Sequence, residues 1–138
     1  MLRRRDTRLT SIHLRSERAL LVLEVLLGVG AFGAAAALIM GAVDFGEAAE
    51  RLPFGSLVFG GVALALVNGV LPAAVVVATL RRKLWSRWGH VVVGASLMAW
   101  IVVQVYFLGP PIVVLQVVYF VWGATIAALA LALRRHEG

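Results

Sequence analysis

Four long apolar runs separated by short polar stretches make up most of the chain. The first extends from Ala19 to Val43 and is interrupted only by Glu24; the second runs from Ser56 to Leu80, the third from Gly89 to Leu108, and the fourth ends at Leu133. In hydrocarbon only helices and closed barrels satisfy every backbone group. Barrel strands would show alternation over stretches of about ten residues. These runs are about twice that length and uniformly apolar, and at 1.5 Å rise per residue each crosses a ~30 Å core. The pattern predicts an all-α protein: a transmembrane four-helix bundle, up-down-up-down, with helices at about 19–43, 56–80, 89–108 and 111–133. The whole of 1–138 is expected to form a single domain, beginning with a basic segment, 1–18. A secretory h-region is only about 7–15 residues long, so the first run reads as a retained helix.

Composition agrees. Hydrophobic residues make up 62% of the chain and charged residues 14%, against about 25% charged in a soluble domain with a wet surface to cover. With no cysteine, disulfides and thiolate metal sites are excluded. A net charge of +6 would suit nucleic acid in a soluble protein, but no basic stripe is interleaved with exposed aromatics, and no nucleic-acid partner is expected. The partner is a lipid bilayer.

The charges also orient the chain. Of the 13 Lys and Arg, twelve fall in segment 1–18, in the 81–88 connection (Arg81, Arg82, Lys83, Arg87) and in the tail (Arg134, Arg135). Arg51 is the exception, in a loop with Asp44, Glu47 and Glu50, three acids against one base. The positive-inside rule places both termini and the 81–88 loop in the cytoplasm, in a multi-pass protein of the bacterial plasma (inner) membrane. Trp85 and Trp88 suit the aromatic belt at that boundary.

A few polar residues inside the spans require reasons. Glu24 lies six residues past Arg18, hence about 9 Å into the inner leaflet. It shares a helix face with Gly28, Ala31 and Ala35, a small-residue stripe of the kind that admits a neighbouring helix, so Glu24 should face the bundle. Candidate partners at that depth are Ser96, Thr79, Thr125 and His90. An ionisable group in a span costs roughly 2.5–3.5 kcal/mol to insert and is a functional candidate by default; the alternative is a carboxyl satisfied by a neighbour. Asn68 and Pro72 form a second constellation: a proline four residues on frees the Asn68 carbonyl, placing a backbone acceptor beside an amide near mid-membrane. More often such a kink is simply packed. Gln104 and Gln116 lie at matched distances from the Gly109-Pro110-Pro111 turn and are expected to clamp the last hairpin, with Trp100 and Trp122 matched in the same way. Tyr106 suits the belt and Tyr119 the core.

Gly61, Ala65, Gly69 and Ala73 repeat every four residues, with shorter sets at Gly33, Ala37, Gly41 and at Ala124, Ala128, Ala132. Such faces promote close helix association, within the chain or in a homo-oligomer. His13, His90 and His136 lie at or outside the inner boundary, which argues against axial haem ligation. No cluster has metal-ligand spacing, and neither a nucleophile elbow nor a phosphate-binding glycine loop is present. No cofactor, metal or enzymatic activity is expected.

The stretches from Trp100 to Gln104 and from Gln116 to Gly123 resemble the C-terminal hairpin of small uncharacterised four-helix bacterial inner-membrane proteins. Chain length, four helices and Glu24 followed by Val25 also resemble the small multidrug resistance transporters. That resemblance implies a first-helix Glu binding both protons and a cationic substrate, here Glu24. The loops here are longer than that family's, the charge bias is stronger, and the aromatic surroundings of its Glu are missing. The expected function is therefore a non-enzymatic accessory or self-associating packing module. The alternative is a small proton-coupled transporter or channel working around Glu24 and the Asn68–Pro72 kink. A wet cavity joining those residues would favour transport; a filled centre would favour the module.

Overall fold

The computed structural model describes residues 2–109 and 114–135, with side chains from position 7 onward. The described residues form four helices long and apolar enough to cross a membrane: α1 (Leu2–Ile39), α2 (Leu57–Leu80), α3 (Ser86–Leu108) and α4 (Val114–Arg135). The remainder of the Gly109-Pro110-Pro111 turn and His136 lie outside the described residues.

The boundaries have local causes. No Gly or Pro occurs before Gly28, so nothing separates segment 1–18 from the first span. The basic segment and the apolar run form one 38-residue helix, instead of a segment followed by a helix at 19. At its far end Gly41 adopts φ 70°, the Ala42 N–H donates to the Ala37 carbonyl at 2.8 Å, and the Gly41 N–H donates to Leu38 at 3.2 Å. This is a Schellman cap with glycine in its left-handed position, and it stops α1 short of Val43. The loop that follows contains two short 3₁₀ turns, Gly46–Arg51 and Pro53–Gly55. Ser56 caps α2, its hydroxyl accepting from the Phe59 N–H at 3.1 Å. α3 begins at Ser86, a turn earlier than its apolar run, so the 81–88 connection shrinks to five residues and His90 lies inside the helix.

The second helix is not regular. Over Ala65–Val70 it widens into a π turn containing Asn68 and Gly69, and the Leu71 N–H donates to the Leu66 carbonyl five residues back. Pro72 then stands in the first turn of the resumed α-helix, where the proline has no N–H to waste. The disturbance expected from Pro72 is therefore a π turn upstream of it.

The core follows the stripe read from α1: Glu24, Gly28, Ala31 and Ala35 are all buried. Leu20 and Leu27 on α1 pack in one cluster with Val75, Val93, Leu97, Ile126 and Ala130. Many large apolar side chains point outward, among them Val29 at 68% and Leu66 at 57% exposed; in water that surface would be untenable, whereas in a bilayer it is the solvated face.

Of the three small-residue sets, the structure uses one, and only in part. A Cβ on Gly61 would lie 3.0 Å from the Ala35 carbonyl, and one on Gly69 2.9 Å from the Phe32 ring. Both glycines therefore seat α2 on α1, Ala65 is half-buried, and Ala73, beyond the π turn, is exposed. Gly33 and Gly41 have open space around them, and Ala128 and Ala132 point outward. The tightest approach is elsewhere: a Cβ on Gly94 of α3 would meet the Gly123 carbonyl of α4 at 2.6 Å.

Candidate functional site

Glu24 is completely buried and hydrogen-bonded to His90: Nδ1 and Oε1 are 2.8 Å apart. The α1 stripe turns the carboxyl inward, and the early start of α3 carries His90 into the bundle at the same level. The opposite ring nitrogen, Nε2, lies 3.0 Å from the Thr79 hydroxyl on α2, and that hydroxyl donates to the Val75 carbonyl at 2.9 Å. Three helices thus contribute one side chain each to a continuous chain, Glu24–His90–Thr79.

Hydrogen counting narrows its protonation. A hydroxyl has a single hydrogen to give. If Thr79 donates to Val75, it accepts from His90, so Nε2 carries a hydrogen. The short Nδ1–Oε1 contact then requires one more proton, held on the ring or on the carboxyl. Every bond along this chain is made when Glu24 and His90 share one proton between them, and the pair then has no net charge, the form a low-dielectric interior favours. The second carboxyl oxygen, Oε2, is buried with no partner.

His90 and Thr79 also line a cavity of about 490 Å³, together with Ser86 and the cationic residues Arg82, Lys83, Arg87 and Arg134. α1 contributes His13 and Glu17 to it. Glu24 does not line this cavity; it sits behind His90. The cavity therefore reaches the buried carboxyl through a hydrogen-bond relay and not by open access.

The other sequence candidates fall elsewhere. Asn68 is 1% exposed and neither amide atom has a partner. Gly28 of α1 faces the adjoining Gly69 carbonyl, 3.6 Å from where a Cβ would be, and Pro72 is buried as well. Neither Asn68 nor Pro72 lines the cavity, so the described cavity does not join Glu24 to Asn68. Of the four partners proposed for Glu24, His90 bonds it directly and Thr79 bonds it through His90. Thr125 is exposed and donates to the Val121 carbonyl at 2.8 Å. Gln104 and Gln116 are both half-buried, and Gln116 has an interaction of its own. The indole N–H groups of Trp100 and Trp122 are buried without partners. Trp122 stacks on Tyr119 at 5.7 Å, while Tyr106 is 81% exposed.

Among the described residues no group of three or more His, Asp or Glu is placed to hold a metal ion. The basic lining of the cavity and the Arg134 guanidinium, 3.3 Å above the Trp88 ring, are features the sequence did not assign. Their signal was present only as a count of cations near one boundary. No family model, no curated protein and no solved structure matches this chain.

Proposed function

We propose that the chain is a non-enzymatic accessory module of the bacterial inner membrane, built around a buried proton-sharing pair that communicates with one side only. In this reading it is a multi-pass protein, up-down-up-down, with both termini cytoplasmic. Support comes from the distribution of Lys and Arg. Contacts along neighbouring helices agree: Gly28 meets Gly69 and Ala35 meets Gly61, while Gly94 meets Gly123 and Ala127. The observation that carries the functional reading is the Glu24–His90 bond behind a cavity that opens at the basic end. The relay leads from that cavity to Glu24, and the centre beyond is filled by Leu27, Ala31, Leu97, Ile101 and Ile126.

One observation favours the second reading, a small proton-coupled transporter or channel. Oε2 of Glu24 and both amide atoms of Asn68 are buried and unpartnered, as they would be at a site awaiting a ligand. The cationic lining speaks against a cationic substrate entering from that side. The deciding experiment is proton flux in proteoliposomes under an imposed pH gradient, with a potential of either sign. The module reading expects wild type and Glu24→Gln to leak alike. A flux that disappears in Glu24→Gln would replace it with the transport reading.

A further inference from the structure

The same cavity has a second property that does not depend on what Glu24 does. Its wall towards the spans is apolar, formed by Leu20, Leu21, Leu80, Ala130 and Leu133, and its mouth is cationic. Arg82 and Lys83 come from the α2–α3 connection, Arg87 from α3 and Arg134 from α4, against one carboxylate, Glu17 of α1. Four cations and one anion leave a lining of +3 with the histidines neutral. Trp85 and Trp88, 54% and 57% exposed, flank it at the level where indole rings meet lipid headgroups.

The backbone of Arg82 is the second observation. Arg82 adopts φ 55°. The Lys83 N–H donates to Ala78 at 2.8 Å and the Arg82 N–H to Thr79 at 2.9 Å, which is the same Schellman cap that ends α1. There the left-handed residue is Gly41; here it is an arginine, in a conformation that side chains with a Cβ adopt at a cost. Glycine would end the helix more easily. A strained residue that keeps its place is a reason to look for what its side chain does, and this one lines the cavity.

We propose that this cavity binds the phosphate of an anionic phospholipid headgroup, with the guanidinium of Arg82 and the ammonium of Lys83 holding the oxyanion while the upper part of the acyl chains lies against the leucine wall. The phosphate chemistry alone would also suit free inorganic phosphate. An amphipathic cavity with one apolar wall, placed between the ends of membrane helices, favours the lipid.

The test uses the full chain, purified and lipid-depleted in a neutral maltoside detergent, with thermal unfolding followed as phosphatidylglycerol, phosphatidylcholine or inorganic phosphate is added. Phosphatidylglycerol is expected to raise the unfolding temperature, whereas phosphatidylcholine and inorganic phosphate leave it nearly unchanged. Arg82→Gly should unfold at a higher temperature than wild type without lipid, because the cap is relieved. It should also need roughly fivefold more phosphatidylglycerol for the same shift, the factor expected for one cation at a membrane surface. Lys83→Gln should show the same lipid deficit without the gain. Arg81→Gln is the control, since it removes one charge from the same connection but does not line the cavity, and it should respond like wild type. Equal shifts from both lipids would overturn the site in favour of unspecific lipid solvation, and an equal deficit in Arg81→Gln would overturn it in favour of bulk charge. A full shift with inorganic phosphate alone would overturn the headgroup assignment in favour of a free anion.

Discussion

Glu24 and His90 are 66 positions apart in sequence and 2.8 Å apart in space, and each is the main reason the other can be buried. The carboxyl has one bonded oxygen and the imidazole has both nitrogens engaged, so the pair anchors α1 to α3 and, through Thr79, to α2.

Removing one partner leaves the other stranded in a dry interior. His90→Ala is expected to destabilise the chain by about 3 kcal/mol, the lower end for breaking a buried pair from one side. Glu24→Gln keeps shape and can turn its amide N–H towards Nδ1, the accepting nitrogen of a neutral ring, and should cost about 1 kcal/mol. The double variant should cost less than the sum, with a coupling of about 1 kcal/mol or more. Equilibrium unfolding in mixed micelles reads all three, and strict additivity would mean that the pair is not a unit.

Asn68 offers a test of sign. Both amide atoms are buried without partners, and replacing an unsatisfied amide by an apolar side chain of similar volume removes a desolvation penalty. Asn68→Leu is expected to stabilise the protein by about 1 kcal/mol. A loss of stability instead would show that a polar partner occupies the π turn.

The Gly94–Gly123 contact allows a clean comparison within one residue type. A Cβ on Gly94 would sit 2.6 Å from the Ala127 nitrogen and the Gly123 oxygen, both backbone atoms that cannot step aside, while one on Gly33 would meet nothing within 4 Å. Gly94→Ala should therefore lower stability by about 1–3 kcal/mol as α3 and α4 are forced apart. Gly33→Ala should raise it by up to about 1 kcal/mol through helix propensity. The same unfolding assay compares the two, and similar effects at both positions would contradict the packing described.

The absence of cysteine makes the proposed orientation directly measurable. Single substitutions Glu47→Cys and Leu84→Cys lie in exposed connections of opposite charge character, Leu84 being 78% exposed. A membrane-impermeant maleimide applied to intact cells should label position 47 and spare position 84 until the membrane is opened. The reverse pattern would invert the topology.

The sequence by itself determined the properties that follow from position along one helix or from bulk transfer energy. Four runs long and apolar enough to cross a membrane as helices were legible, as was the basic end of the bundle. The inward face Glu24, Gly28, Ala31 and Ala35 was legible too, because helical periodicity acts within a single element. The same reasoning failed wherever the outcome depended on how two helices rotate against each other. The ladder from Gly61 to Ala73 loses its register at the π turn, which the one-dimensional repeat does not register. Ala128 and Ala132 of the third set face outward because the backbone contact at Gly94 and Gly123 fixes a different face of α4. Four side chains stood at the right depth for Glu24, and depth could not separate them. The rotation of α3 and its start at Ser86, one turn before the apolar run, brought His90 to the carboxyl. That choice belongs to the tertiary structure, since a hydrogen bond needs a partner within about 3 Å and sequence spacing carries no information about distance across a bundle.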